Sequence, residues 1–456
     1  MKPRTTFDLI PIVFLISIVI FMLLQPIQLT HSEDHIQAAD EIHEAWIPEN
    51  IHLVWHRSYP ECGYEFCAVH GNVFPQVFIC GQYVIYPSTL GIYKLDLKNG
   101  AIVDKVAIPH TSPVPFSKHC EFIHGSNVIT IRAYNTIYGR TPNKILVACI
   151  SITDFKIKWI SVINATFEQS VHPIVLGNLL YIFRTTVRSW EIGDRENYRV
   201  YIVNLTDGTY ASHILFSYYK EKYYHGHKYE DEYVALYAYK IDDGHIALFI
   251  TRGIFIDAEP HIMGTRYFMI CDRKLNIIYR EKVSSFPHYI YVHNGSMYLM
   301  YASSSNLIKV VKITPTFPNS TVSKRIFLEA RSWHVPISED GSSSLGMAIN
   351  KDKVLIYHSG IIYCYLDNGS MLWSRIILDP YTPSGPPPNV LDIIPYENGF
   401  LLCLFGMVFS GVIAIGLDGR LFWSLNCMLS HVPCIKYDKL VVAVHGGEVM
   451  LFEGLS

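Results

Sequence analysis

The feature that most constrains this chain is a hairpin that returns about every fifty residues. Its clearest copy is IIYCYLDNGSMLWSRI, residues 361–376. Ile362, Cys364 and Leu366 alternate with Tyr363, Tyr365 and Asp367, which is the period of a strand. Asn368-Gly369 is the pair expected of a tight type I′ turn, and Met371 to Ile376 runs back with Trp373 in it. Copies stand at 91–108, 199–214, 266–283 and 411–426; 146–163 lacks the turn glycine, and 306–328 has a longer, Pro-containing turn. Trp159, Trp373 and Trp423 recur on the returning strand. A second hairpin precedes each copy, starting near Val73, Lys118, Val171, Val234, Phe286, Leu345, Val390 and His431. That gives eight inner hairpins against seven outer ones, with an unpaired third strand, GEVMLFEG, near the C-terminus. The missing strand has a candidate at the other end, IHLVWHRS (51–58), which places Trp55 where other copies put theirs.

A ring of blades removes its open edge when one blade is assembled from both chain ends. The expected fold is therefore all-β: an eight-bladed β-propeller of four-stranded antiparallel blades, closed by the N- and C-terminal strands. A seven-bladed ring or two smaller sandwiches are the alternatives, because blade four is long and blade five irregular. Half of the 456 residues are apolar, enough for a large core, and the 31 tyrosines suit β structure. Lys plus Arg (37) nearly balances Asp plus Glu (40), so no nucleic-acid partner is expected.

Ahead of the repeats, Lys2 and Arg4 precede an apolar run from Leu9 to Leu24 broken only by Pro11 and Ser17. Residues 1–32 read as a signal anchor, with a cleaved signal peptide as the alternative, since Thr30 and Ser32 precede Glu33. Residues 33–50 read as an acidic linker and 51–456 as the propeller. The positive flank stays cytoplasmic, so a single-pass protein with its propeller on the extracytoplasmic side of the cell membrane is expected, or a secreted one after cleavage.

The repeat has the form Y-x-L-D-x-x-[ND]-G-x-x-x-W. Tyr93, Leu95, Asp96 and Gly100 match in blade one; Tyr365, Leu366, Asp367, Gly369 and Trp373 in blade six; Leu417, Asp418, Gly419 and Trp423 in blade seven. In these residues the chain resembles the PQQ-like, or quinoprotein-alcohol-dehydrogenase-like, propeller family over about residues 50–455. The resemblance implies an eight-bladed ring of the kind found in many exported proteins. It implies little about activity, because the matched residues serve hairpins and packing. Dehydrogenases of that family hold their quinone against adjacent cysteines. No two cysteines are adjacent here, the closest being Cys62 and Cys67 in CGYEFC, so no cofactor is expected.

His119, His172, His288 and His431 all stand at the start of inner hairpins, where a ring of them could ligate a metal or an anion at one channel mouth. The plainer reading is a polar, watered mouth. The loop YYKEKYYHGHKYEDEY (218–233) offers Tyr223, Tyr224, His225 and His227 to a partner, and the Pro-rich link 379–390 offers Tyr381. Asp257, Glu259 and His261 form a short acidic and imidazole cluster. Cys62 with Cys67 and Cys427 with Cys434 are close enough in sequence to bridge. Sequons at Asn164, Asn204, Asn294, Asn319 and Asn368 suit an exported glycoprotein. The function expected from all this is a membrane-anchored propeller that binds or scaffolds a protein or glycan partner at its rim. The alternative is a quinone- or metal-dependent oxidoreductase or hydrolase at the channel mouth.

Overall fold

The computed structural model describes residues 51–59, 75–88, 90–109, 118–134, 143–165, 171–184, 186–189, 195–219, 223–224, 227–256, 259–261, 266–302, 307–317, 321–331, 345–358, 360–377, 388–406 and 410–455. Residues 1–50 lie outside these. Among the described residues no helix is long and apolar enough to cross a membrane; the run 9–24 lies outside them.

Eight antiparallel sheets follow one another along the chain. Blades 1 to 7 span 78–107, 118–165, 171–219, 227–283, 289–331, 345–376 and 389–426. Blade 8 takes three strands from 434–453 and its outermost from the other chain end. His52–Ser58 runs antiparallel to Glu448–Glu453, from His52 opposite Glu453 to Ser58 opposite Glu448. The innermost strands of blades 8 and 1 meet in parallel, through a Gln76–Val432 bridge and bonds from Val77 N to Val432 O (3.3 Å) and Val432 N to Pro75 O (2.9 Å). The ring is thus closed as the hairpin count expects.

The hydrophobic core lies in the seams between blades, because each sheet buries one face on each neighbour. One cluster joins Trp55, Val441 and Leu451 of blade 8 to Val84, Tyr86 and Tyr93 of blade 1. Others join Ile129 and Val147 to Leu180 and Val203 across blades 2 and 3, and Leu355 and Cys364 to Leu402 and Ile413 across blades 6 and 7.

The recurrent Trp and Gly residues hold these seams at the rim. The Trp55 indole donates to Leu97 O of the next blade (2.9 Å), and Trp373 donates to Leu417 O (3.1 Å). Each ring lies on the turn glycine of that next blade. A Cβ at Gly100 would meet the Trp55 ring at 2.7 Å, one at Gly208 the Trp159 ring at 2.6 Å, and one at Gly419 the Trp373 ring at 2.8 Å. Blade 1 has no Trp on its outer strand, so the blade 1–2 seam is filled differently. Lys94 is buried and donates to Ile152 O (3.0 Å), the carbonyl an indole would otherwise reach, and Phe155 replaces the turn glycine at φ 50°. Between blades 3 and 4, the Tyr181 hydroxyl donates to Arg273 O (2.6 Å) and Leu275 holds the left-handed position at φ 64°.

The opening turn differs from its type I′ expectation. Gly369 is left-handed at φ 89° and Asn368 is not, while the ladder shifts between Cys364 and Tyr365. This is a type I turn with a glycine bulge, the pattern that a longer hairpin loop selects. Asn368 Oδ1 instead accepts the Ser370 N–H (2.9 Å).

Blade 4 departs from four strands. Thr186–Ser189, Tyr223–Tyr224 and Glu259–His261 add to the long strands His227–Lys240 and His245–Ile256, making a seven-stranded sheet. Much of the stretch expected as a loop at 218–233 is therefore strand.

Candidate functional site

The strand order divides the connections between two faces. One face carries the turns inside each hairpin, as at 81–82, 125–126, 177–178 and 367–370. On the opposite face lie the strand ends that are separated by the longer intervals of sequence, among them 60–74, 110–117, 135–142, 332–344 and 378–387, residues that themselves lie outside the described ones. The three extra strands of blade 4 are built from links on this loop face. So the fold sets a plain face against an elaborated one.

The inner strands open onto the loop face beside a half-buried polar group drawn from three blades. Asp392 sits on the inner strand of blade 7, next to a bulge at Val390–Asp392, and its Oδ1 accepts the Ile393 N–H (2.8 Å). Burial raises its pKa above the usual carboxylate value. Tyr289 and Tyr291 of blade 5 lie near it, and their hydroxyls bond the backbone of Met347 and Ile349 in blade 6. Burial first, and then the Asp392 carboxylate, raises both phenol pKa values. Cys403, Cys120 and Cys271 are held as thiols by burial, which raises each pKa. Phenols held protonated beside a carboxyl group suit hydrogen bonding rather than nucleophilic attack.

The four histidines share a position along their strands, but the described ones are spent on separate contacts. His172 is buried between blades 3 and 4, edge-on to Tyr237 at 6.2 Å, and its Nε2 has no hydrogen-bond partner. His288 Nδ1 accepts the Ala302 N–H (3.1 Å). His431 is buried over Tyr86 at 5.2 Å; its Nε2 donates to Pro87 O (2.8 Å), which leaves Nδ1 to accept from the Ser430 hydroxyl (2.8 Å). His119 is in the strand Lys118–His124, and its side chain lies outside the described residues. Among the described residues no three His, Cys, Asp or Glu gather as a metal site.

Sequence reasoning missed two groups here. His358 ends the second strand of blade 6, fully buried and close enough to His288 for their charges to repel. Asp392 was missed because a single acid in an apolar strand gives no spacing signal; the Val390–Asp392 bulge that aims it is visible only in the pairing.

His172 and His358 set a pH dependence. Burial lowers each pKa from 6.5 to about 4. Above pH 6.5 both are neutral whether folded or unfolded. As pH falls, the unfolded chain takes up protons that the folded one refuses, so the stability present above 6.5 is lost between about 6.5 and 4. The slope is at most about 1.4 kcal/mol per pH unit for each histidine, with the raised Asp392 offsetting part of it at the acid end. Urea midpoints at pH 7.5 and pH 5 should differ in that direction, and H172F should flatten the difference. Equal midpoints would contradict buried neutral imidazoles.

The other sequence candidates fall as follows. Tyr223 and Tyr224 pair with Lys228 and His227 in the blade 4 sheet; the side chains of all these, and His225 and Tyr381 entirely, lie outside the described residues. Asp257, Cys62 and Cys67 also lie outside them. Cys427 stands beside Cys403, and Cys434 beside Cys80, where it receives a backbone bond from Ile79 of blade 1. Asn204, Asn294 and Asn368 stand on the turn face and Asn164 on an outer strand; Asn319 lies outside the described residues.

No protein-family model and no curated protein matches the chain by sequence. Solved structures do. The C-terminal WD40 domain of Sif2 is similar at 10% identity and a TM-score of 0.51, with 90% of this chain and 99% of that one covered. The Myceliophteria thermophila Cps50 (Swd1) β-propeller domain is 12% identical over 74% of this chain and 96% of its own, with a TM-score of 0.41. The first of these agrees with the propeller fold; neither carries a function.

Proposed function

We propose that this chain is a binding propeller that docks a protein partner on its loop face, exported and tethered to the membrane by residues 1–32. The observation that carries the reading is the asymmetry between the faces. Tight turns close one face, while the other has the long links and a blade extended from four strands to seven. Added strands offer new sheet edges, and an exposed edge takes up an extended peptide through main-chain hydrogen bonds. Sequons at Asn204, Asn294 and Asn368 stand at hairpin turns, so glycans there would leave the loop face open, while Asn164 is near the loop-face end of an outer strand. The similarity to WD40 propellers supports a scaffolding role at the level of architecture. The Trp and Gly residues behind the quinoprotein-like resemblance are spent on seams, which gives no support to a quinone site.

The test is cross-linking and mass spectrometry of the full chain in its native membrane. Cross-links should concentrate on the loop face around blade 4, and replacing 220–226 by a Gly-Ser linker should remove the partner while leaving the unfolding midpoint within about 1 kcal/mol. Cross-links confined to the turn face would contradict the reading. Removal of N-glycans should shift the mass of native protein if the export proposal holds.

A further inference from the structure

On the turn face, between the inner-hairpin turns of blades 7 and 8, lies an open cleft of about 300 Å³ lined by Tyr396, Glu397, Asn398, Lys436, Tyr437 and Leu455. Its size is at the low end of small-ligand pockets, about 300 to 1,000 Å³. Three features bear on what it can hold.

The first is Tyr437. It holds the left-handed turn position at φ 58°, as Lys351 does in blade 6 at φ 56° and Asn294 in blade 5 at φ 47°, whereas Gly81, Gly125 and Gly177 fill it in blades 1 to 3; Tyr437 alone of these brings an aromatic ring there. A side chain with a Cβ costs about 1–2 kcal/mol there. Tyr437 is 82% exposed, so packing does not repay that cost. A strained residue held in view of solvent at a cleft points to recognition.

The second is unused hydrogen-bonding capacity. The Tyr396 hydroxyl is buried and has no hydrogen-bond partner. Among the described residues the Glu397 carboxylate and the Asn398 amide make no side-chain hydrogen bond or ion pair; their recorded bonds run through backbone carbonyls, Glu397 O to the Lys351 ammonium (3.4 Å) and Asn398 O to the Leu417 N–H (3.2 Å). Donors and acceptors therefore stand together, those of Glu397 and Asn398 exposed to water and free to exchange it for a ligand.

The third is charge balance. The Lys436 ammonium donates to Ile79 O (3.1 Å) and lies 5.5 Å from the Tyr437 ring, and the cleft is lined by this one cation and by the one anion of Glu397. A charged ligand would meet a like charge, and an apolar one would leave the amide, carboxylate and phenols without partners, at about 1–3 kcal/mol each.

We infer that this cleft binds a neutral saccharide of one or two rings, stacked on Tyr437 and hydrogen-bonded by Glu397, Asn398 and Tyr396. A pyranose has a flat C–H face for the aromatic ring and a rim of hydroxyls that both donate and accept. The site stands apart from the protein-docking reading above, being on the opposite face.

The experiment titrates the full chain with mannose, galactose, N-acetylglucosamine, lactose, maltose and cellobiose, followed by saturation-transfer NMR and calorimetry. At least one should bind with a Kd of about 1 mM or below. Y437G gives the turn the residue it prefers, so it should keep or raise the unfolding midpoint while weakening the sugar by about tenfold or more. E397Q should weaken it without changing the midpoint. Absence of binding to the whole panel, undiminished binding to Y437G, or displacement from the cleft by a peptide rather than a sugar would each overturn the assignment.

Discussion

Replacing Trp55 by alanine should cost about 3–5 kcal/mol, the range for truncating a large buried aromatic. The ring is 7% exposed and packs in the seam that joins the last blade to the first. Its loss removes the indole bond to Leu97 O (2.9 Å) and uncovers Gly100, on which the ring lies. Two neighbours share the load: the Tyr59 hydroxyl donates to Gly100 O (2.6 Å) and Arg57 Nε to Asn99 O (3.1 Å). Neither can fill the space the indole leaves. Because His52–Ser58 is the edge strand of blade 8 and this seam anchors it to blade 1, the loss should loosen His52–Ser58 before other strands. Denaturant titration should show a lower midpoint, and an early exposure of that strand to protease. A cost below about 1 kcal/mol would mean that Trp55 is a surface residue and that the seam is held elsewhere.

The second large effect is expected inside blade 2. Glu121 and Arg132 are buried at 5% and 1% exposure, with Arg132 Nη2 3.4 Å from Glu121 Oε1. Thr130 links them: its hydroxyl donates to Glu121 Oε1 (2.8 Å) and accepts from Arg132 Nε (3.1 Å). Removing one partner strands the other charge in a dry interior. E121A or R132A should each cost about 3–5 kcal/mol. The double replacement E121L/R132M should recover much of that loss, since two apolar side chains of similar volume leave no stranded charge. A double variant as unstable as the sum of the singles would show that the two side chains act independently.

How far the residues alone reveal this molecule depends on the kind of signal. The eight blades were legible because strand period and turn residues repeat, and a repeat can be counted. Counting also located His52–Ser58, whose pairing is with a strand almost four hundred positions away. Details inside the repeat were less legible. Asn368-Gly369 has the composition of a type I′ turn, yet the bulge between Cys364 and Tyr365 selects another geometry. Phe155 looked like a lost glycine, whereas it and Lys94 fill a seam where the preceding blade has no Trp. The histidines show the same limit. His172, His288 and His431 begin corresponding strands, but ring direction is set by which neighbouring blade each packs on, and that leaves no trace in spacing. The Asp392 group draws on blades 5, 6 and 7, so no local window contains it.

Ring closure by both chain ends is tested most directly by amide hydrogen exchange along 52–58 and 448–453. Closure predicts that the amides of His52–Ser58 paired with Glu448–Glu453 are protected as strongly as that strand, and that both segments lose protection together in W55A. Rapid exchange throughout 52–58 in the unaltered protein, with 448–453 still protected, would contradict it and leave blade 8 with an open edge.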